Sequence, residues 1–301
     1  MRHPLLSSSV ELRKRMFALL REGLMVRRAG NLIFVCGGNA QTDLRPQFKS
    51  FSEYNLTEFQ IFQPEFAMEN YFSDMGGRQL DLGEFETLIG DLSHAIVIFP
   101  EAPGSFAETG YFSNIEKLAE KVILVLDADR QRNDSFIMMG PARNYEKTSK
   151  YSPNIQINYS DPDFSLISDR INRIGTSKTR KLLDVEDLED PYDLFCLVYK
   201  IFDILNISTC DDMLFVLQAI TKGHPPRKRA RDIASILVGA GYLRPIGEFG
   251  HYIANAKDSS FVEMRKGHAA KELELRLEIS DILMNGEPEF AELLMERANA
   301  H

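Results

Sequence analysis

A chain of 301 residues, 44% hydrophobic and 26% charged, is long enough for one large core or two ordinary ones. Its net charge of -9 excludes non-specific nucleic-acid binding by the whole surface, although a local basic patch remains allowed. The three scattered cysteines, Cys36, Cys196 and Cys210, form neither a disulfide framework nor a zinc pattern, and no apolar run reaches membrane-spanning length. With no signal-peptide core in residues 1–10, the expectation is a cytoplasmic protein without a metal.

Residues 10–28 predict an amphipathic helix, with Leu12, Met16, Leu19, Leu20 and Leu24 as its apolar stripe and Gly30-Asn31 as its stop. Leu32–Cys36 reads as a buried strand, followed by Gly37, Gly38 and Asn39. Two glycines there either let backbone approach a ligand or simply make a tight turn. The pattern is not GxGxxG, so a dinucleotide fingerprint is absent. A helix over 43–55, a strand Glu58–Phe62 and helical segments at 65–74 and 79–91 follow.

The run starting at Ala95 is the next strand, broken by Pro100, Pro103 and Gly104. Ser105 is expected to be an N-cap with Glu108 in the first turn after it. Ser-x-x-Glu is a capping box, so Glu108 either closes that helix start or offers a free carboxylate where α/β sheets bind ligands. After the helix to about Glu120 comes the strand Val122–Leu126. Strands interleaved with helices predict a Rossmann-like, doubly wound parallel sheet. Its carboxyl ends carry Gly37 to Asn39, Pro64-Glu65, Glu101 to Ser105, and Asp127, a polar set suited to a sugar-like ligand. Ser135–Arg143 is either a loop over that site or a surface turn. Cys36 is a competing nucleophile with no histidine near it in sequence, and His94 reads as structural.

Between Gly175 and Asp190 the chain turns polar, dividing a first domain over 1–175 from a second over 191–301. Helices at 191–206, 210–222 and 227–240 and a hairpin at 241–254 resemble a winged helix. Its recognition helix would begin with Arg227, Lys228, Arg229 and Arg231, joined by Lys222 and His224. This cluster suits phosphate contacts, but a solvated charge run or a protein-docking face fits as well. Residues 268–299 predict terminal helices, packed on this domain or on a second subunit of a homo-oligomer.

The segments Phe99–Asn114, Phe34–Gly38 and Ser135–Arg143 together resemble the effector (toxin) proteins of bacterial retrons. The resemblance implies a nucleoside deoxyribosyltransferase-like domain followed by a winged-helix DNA-binding domain. It also implies antiphage defence, with the effector held inactive by a reverse transcriptase and its branched RNA–DNA product, msDNA. Glu108 matches the family's catalytic glutamate, in a Gly-x-x-x-Glu-x-Gly pattern. The aspartate that deoxyribosyltransferases carry six residues earlier is Ala102 here, with Glu101 beside it.

The chemistry so implied is cleavage of an N-glycosidic bond by attack of Glu108 on C1′ of a nucleotide or NAD, which serves as substrate with no cofactor. Nicotinamide leaves NAD without a general acid, so the missing aspartate matters less for that substrate. Backbone N–H groups of Gly37, Gly38 and Ser105, with Gly104 beside them, would hold a phosphate. A non-catalytic nucleotide sensor that binds DNA, and a docking module for the reverse transcriptase–DNA assembly, stay open as alternatives.

Overall fold

The computed structural model describes residues 3–27, 30–63, 67, 81–131, 134–221, 225–255, 261–286 and 288–299. Two units interleave along the chain: residues 29–62 and 80–177 make one, and 1–28, 63–79 and 178–301 make the other. The chain opens with α1 (Pro4–Ser8), α2 (Val10–Glu22) and β1 (Leu24–Arg27). The long first helix expected from the leucine stripe therefore stops at Glu22, where Gly23 ends it and Leu24–Arg27 switches to the alternating burial of a strand.

The unit built on residues 29–62 and 80–177 contains β2 (Leu32–Cys36), α3 (Leu44–Asn55), β3 (Gln60–Ile61), α4 (Leu82–Leu92) and β4 (Ser93–Ile98). It continues with α5 (Pro103–Ser113), α6 (Glu116–Ala119), β5 (Val122–Asp127), α7 (Phe136–Met139), α8 (Pro141–Thr148), β6 (Ile155–Ile157) and α9 (Ser165–Ile174). Five parallel strands run in the order β3-β2-β4-β5-β6. Every residue of β2, β4 and β5 is buried, as helices on both faces require, and this is why they read as unbroken apolar runs. On one face Phe48, Phe99, Phe164, Ile167 and Ile171 form the core. From β2 the chain winds outward to β3, and from β4 it winds the other way to β5 and β6, so the strand order reverses between β2 and β4. Ligands of open α/β sheets bind outside the carboxyl ends at such a reversal. Of the expected helical segments, 79–91 is realised as α4 behind Asp81, whose carboxylate accepts from Glu84 N–H at 3.0 Å, whereas 65–74 falls outside the described residues except for residue 67.

In the other unit β1 is the middle strand of an antiparallel sheet, between β11 (Val262–Met264) and β7 (Arg180–Leu182). The segment 3–27 thus packs with the C-terminal residues, whereas the sequence had it opening the first domain. His3 N–H also donates to Asp212 Oδ1 at 3.0 Å. Helices α10 (Pro191–Leu205), α11 (Cys210–Ile220) and α12 (Arg227–Gly239) precede a hairpin of β9 (Leu243–Ile246) and β10 (His251–Ala254). Strand β8 (Ile207–Thr209) joins the hairpin in the order β8-β10-β9. Helices α13 (Ala269–Asn285) and α14 (Pro288–Asn299) follow. Among the described residues, no helix is long and apolar enough to cross a membrane.

Helix α10 is the core of this unit, with every residue from Tyr192 to Phe202 buried. One of them is Lys200, whose ammonium is held by Asp203 at 3.0 Å and Glu272 at 2.6 Å, while Arg276 bonds to the same two carboxylates. Burial disfavours the Asp203 charge, but Lys200 and Arg276 outweigh it and hold its carboxyl below the usual range. Asp203→Asn is expected to lower the unfolding free energy by about 3 kcal/mol, because the buried Lys200 and the half-buried Arg276 lose a counter-charge. Urea unfolding measures this. A depressed carboxyl pKa contributes stability above its unfolded value and loses it as pH falls through the folded value, so the gap between wild type and variant should close in acid.

Candidate active site

Helix α5 starts earlier than Ser-x-x-Glu suggests. Pro103 is its first residue, a favoured place for proline, and Ala102 stands at the N-cap. Ser105 sits within the first turn, where its hydroxyl accepts from Glu101 N–H at 3.2 Å and Ala102 N–H at 3.1 Å and donates to Ala102 O at 2.9 Å. The helix start is closed without Glu108, so two expectations are corrected: Ser105 is not the N-cap, and Glu108 is not the far end of a capping box. Glu108 lies in the second turn, half-buried.

Four side chains from separate elements surround the Glu108 carboxylate or its neighbours. Cys36 at the end of β2 donates its thiol hydrogen to Glu108, Arg45 in the first turn of α3 adds positive charge, and Glu86 on α4 adds a second carboxylate. Tyr145 on α8 lies close to Cys36 and donates to Thr109 O at 2.7 Å, tying α8 to α5. Burial pushes the Glu108 carboxyl up, while the Cys36 thiol and Arg45 pull it back toward the ionised form. Burial, with the Glu108 charge added, raises Glu86 to about 7. The Cys36 thiol is driven far up by burial and by Glu108, so it acts here as a hydrogen-bond donor and not as a thiolate.

Glu101 has a different occupation from the one foreseen. Its carboxylate accepts from Gly38 N–H at 2.9 Å, Leu44 N–H at 2.9 Å and Arg45 N–H at 3.3 Å, closing the N-terminus of α3 from across the loop. The Gly38 N–H expected to hold a phosphate is therefore taken by Glu101. At Gly37 an added Cβ would lie 2.8 Å from both Arg45 Cβ and Glu101 Oε1, so the missing side chain makes room for this carboxylate. Asn39 is exposed and accepts from Arg45 Nη1. Gly104 has nothing within 4 Å of a built Cβ, so space is open beside it in the first turn of α5. Glu101→Ala leaves three N–H groups without their acceptor and is expected to cost about 2 kcal/mol, seen as a lower thermal midpoint with Glu101→Gln between it and wild type.

Asp127 is buried at the end of β5 and accepts from Asp129 N–H at 3.0 Å. Ser135–Arg143 forms α7 and the start of α8, and Phe136 there is 85% exposed. His94 is at the amino end of β4, against Phe59, with its pKa lowered to about 4 by burial and by Lys150 and Lys121. It stays neutral and lies at the other end of the strand from Glu101. Pro64-Glu65 falls outside the described residues. Among the described residues, no group of three or more His, Cys, Asp or Glu is arranged to hold a metal ion.

Glu86 is the residue that sequence reasoning missed. Its one signal was position: on α4 it follows Phe85, and Phe85, Ile89 and Leu92 form the buried row. A carboxylate at the edge of such a row is drawn under the sheet's carboxyl end with it.

In the C-terminal unit the basic cluster divides. Arg227 and Arg231, four residues apart on α12, line one groove, where Arg231 Nη2 meets Asp211 Oδ1 at 2.8 Å. Arg229 turns away and donates to Glu189 O at 3.4 Å, and Lys228 is exposed. Lys222 and His224 fall outside the described residues.

A profile of the STM3845 retron effector protein family matches residues 41–245. That span takes in Glu86, Glu108 and Arg227 to Arg231 and leaves out Gly37 to Asn39. The chain is 35% identical over 122 residues to the "Retron Ec86 putative ribosyltransferase/DNA-binding protein" of Escherichia coli, covering 40% of this chain and 39% of that one. It is 28% identical over 144 residues to the "Retron Ec73 putative ribosyltransferase/DNA-binding protein" of the same organism, covering 46% of each. Each alignment spans less than half the length of the relative.

Proposed function

This chain belongs to the STM3845 retron effector family, and on that premise we propose that it is a ribosyltransferase-like enzyme of antiphage defence that cleaves the N-glycosidic bond of a nucleotide or NAD. The observation that carries this reading is the pair Glu108 and Glu86 near the reversal of strand order, where burial and the Glu108 charge raise Glu86 to about 7. Carboxyl groups with separated protonation serve glycosidic cleavage as nucleophile and acid.

Ionised Glu108 attacks C1′ and forms an ester to it. The C1′–N bond breaks with its electron pair going to the base, and Glu86 delivers its proton there. Water then adds to C1′, passes a proton to the Glu86 carboxylate and frees Glu108. The Cys36 thiol keeps Glu108 oriented through both steps, and Arg45 favours its charge. Open space beside Gly104 at the start of α5 suits a substrate phosphate.

Three helices, α10, α11 and α12, ahead of a hairpin support the winged-helix reading, and the relatives' names include DNA-binding. Contact with nucleic acid through α12 and restraint by a reverse transcriptase–msDNA complex belong to the same proposal. The direct test is chromatography of free base released from nucleotides and NAD by wild type and by Glu108→Gln. Equal release by the two proteins would leave a nucleotide-sensing, DNA-binding regulator as the better account.

A further inference from the structure

The sugar chemistry makes no use of a groove of about 920 Å³ in the C-terminal unit, lined by Thr209, Asp211, Arg227, Arg231, Phe249 and Gly250 among others. One wall is cationic. Arg227 and Arg231 lie one turn apart on α12, and Asp211 on α11 steadies the Arg231 guanidinium at 2.8 Å. The loop that joins β9 to β10 contributes Phe249 and Gly250 to the same groove. Ile246 pairs with His251 across the hairpin, so the loop has four residues, and the first and last are Gly247 and Gly250 at φ 62° and 69°. Those left-handed values turn the chain sharply at both ends of the loop. Between them Phe249 is 72% exposed. Beneath the loop, His251 is buried against Phe290 with ring centroids 5.5 Å apart.

Two guanidinium groups and an exposed aromatic ring lining one groove offer partners for the phosphate and the base of a nucleic-acid strand. The exposed ring of Phe249 favours an unpaired strand over a duplex. Arg227 and Arg231, at the front of α12, border the groove. A base in a duplex is already stacked on its neighbours, whereas an unpaired base is available to the Phe249 ring.

We propose that this groove binds single-stranded nucleic acid, with an unpaired base stacked on Phe249 and neighbouring phosphates on Arg227 and Arg231. The proposal rests on the reading of α12 as a nucleic-acid-binding helix and specifies which form of nucleic acid that helix takes.

Fluorescence anisotropy of the full chain with a labelled twenty-residue oligothymidine, and with a duplex of equal length, tests it. The single strand is expected to bind at least about tenfold more tightly than the duplex. Phe249→Ala should weaken the single-strand complex about tenfold, the scale of one lost stacked base, and Phe249→Tyr should restore it. Arg227→Ala combined with Arg231→Ala should weaken binding and reduce the salt slope by about 1.4, as two lost phosphate contacts require on a single strand. Asp211→Asn removes an anion from the same wall and should tighten the complex several-fold.

If the arginine pair matters but Phe249→Ala binds as wild type, or the duplex binds more tightly, the single-strand proposal is overturned while the basic helix keeps its role. If neither oligonucleotide binds, or the arginine pair has no effect, the nucleic-acid reading of α12 falls with it.

Discussion

Glu108→Gln is expected to abolish base release from nucleotides and from NAD, by on the order of 10⁴-fold or more, while the protein folds as before. An amide occupies nearly the same volume but has no electron pair with which to hold C1′. The fold is spared because the Ser105 hydroxyl, and not Glu108, closes the start of α5. Burial also raises the Glu108 carboxyl, so a neutral side chain relieves a strain in place of creating one. A second signature comes from Glu86, whose high pKa owes part of its shift to the Glu108 charge. With that charge gone, the Glu86 titration should move down, which carboxyl-labelled NMR would follow. Turnover within tenfold of wild type would remove Glu108 from the chemistry.

The next largest effect is expected of Glu86→Gln, and it should depend on the leaving group. A neutral purine or pyrimidine needs a proton as it departs, so its release should slow by about 10²- to 10⁴-fold, the range for a lost general acid. Nicotinamide leaves as a neutral molecule without one, so NAD cleavage should change far less. For nucleotides the wild-type rate should trace a bell, rising as Glu108 ionises and falling as pH passes about 7 and Glu86 loses its proton. In Glu86→Gln the alkaline limb should vanish.

Stability gives an independent reading of the same group. Its folded pKa lies above its unfolded one, so its contribution is complete below about 4.5 and is lost as pH rises through about 7. Between pH 6 and 8 the urea midpoint of wild type should fall more than that of the variant. An unchanged bell, or equal slowing of both substrate classes, would show that another group supplies the proton.

The parallel layer was legible because β2, β4 and β5 are buried on both faces and leave unbroken apolar runs. Strand β6 left no comparable mark: Ile155–Ile157 is three residues long, too short for a period. Strand β1 was hidden for another reason. Leu24 falls four residues after Leu20, so it extends the helical stripe on paper, and the partners that make it a strand lie at 180–182 and 262–264.

In the candidate site Glu108 is legible as a carboxylate beyond a strand, but the helix starts at Pro103, two residues before the serine that resembles an N-cap. That Glu101 would fill the amides of Gly38, Leu44 and Arg45 depends on the reach of one side chain across a loop, which no spacing encodes. Glu86 depends on which face of α4 turns inward beside Cys36 and Glu108, and that is decided only by the packed sheet.

The placement of β1 between β7 and β11 also bears on synthesis. Residues 24–27 leave the ribosome early, yet one partner strand emerges more than a hundred residues later and the other some eighty residues after that. Over that interval the segments of the parallel sheet have all been made, while both edges of β1 stand bare and open to pairing with other nascent chains. Translation halted anywhere before residue 262 therefore strands the earliest-made strand without its last neighbour, so a lesion near one end of the message is felt by the protein at the other.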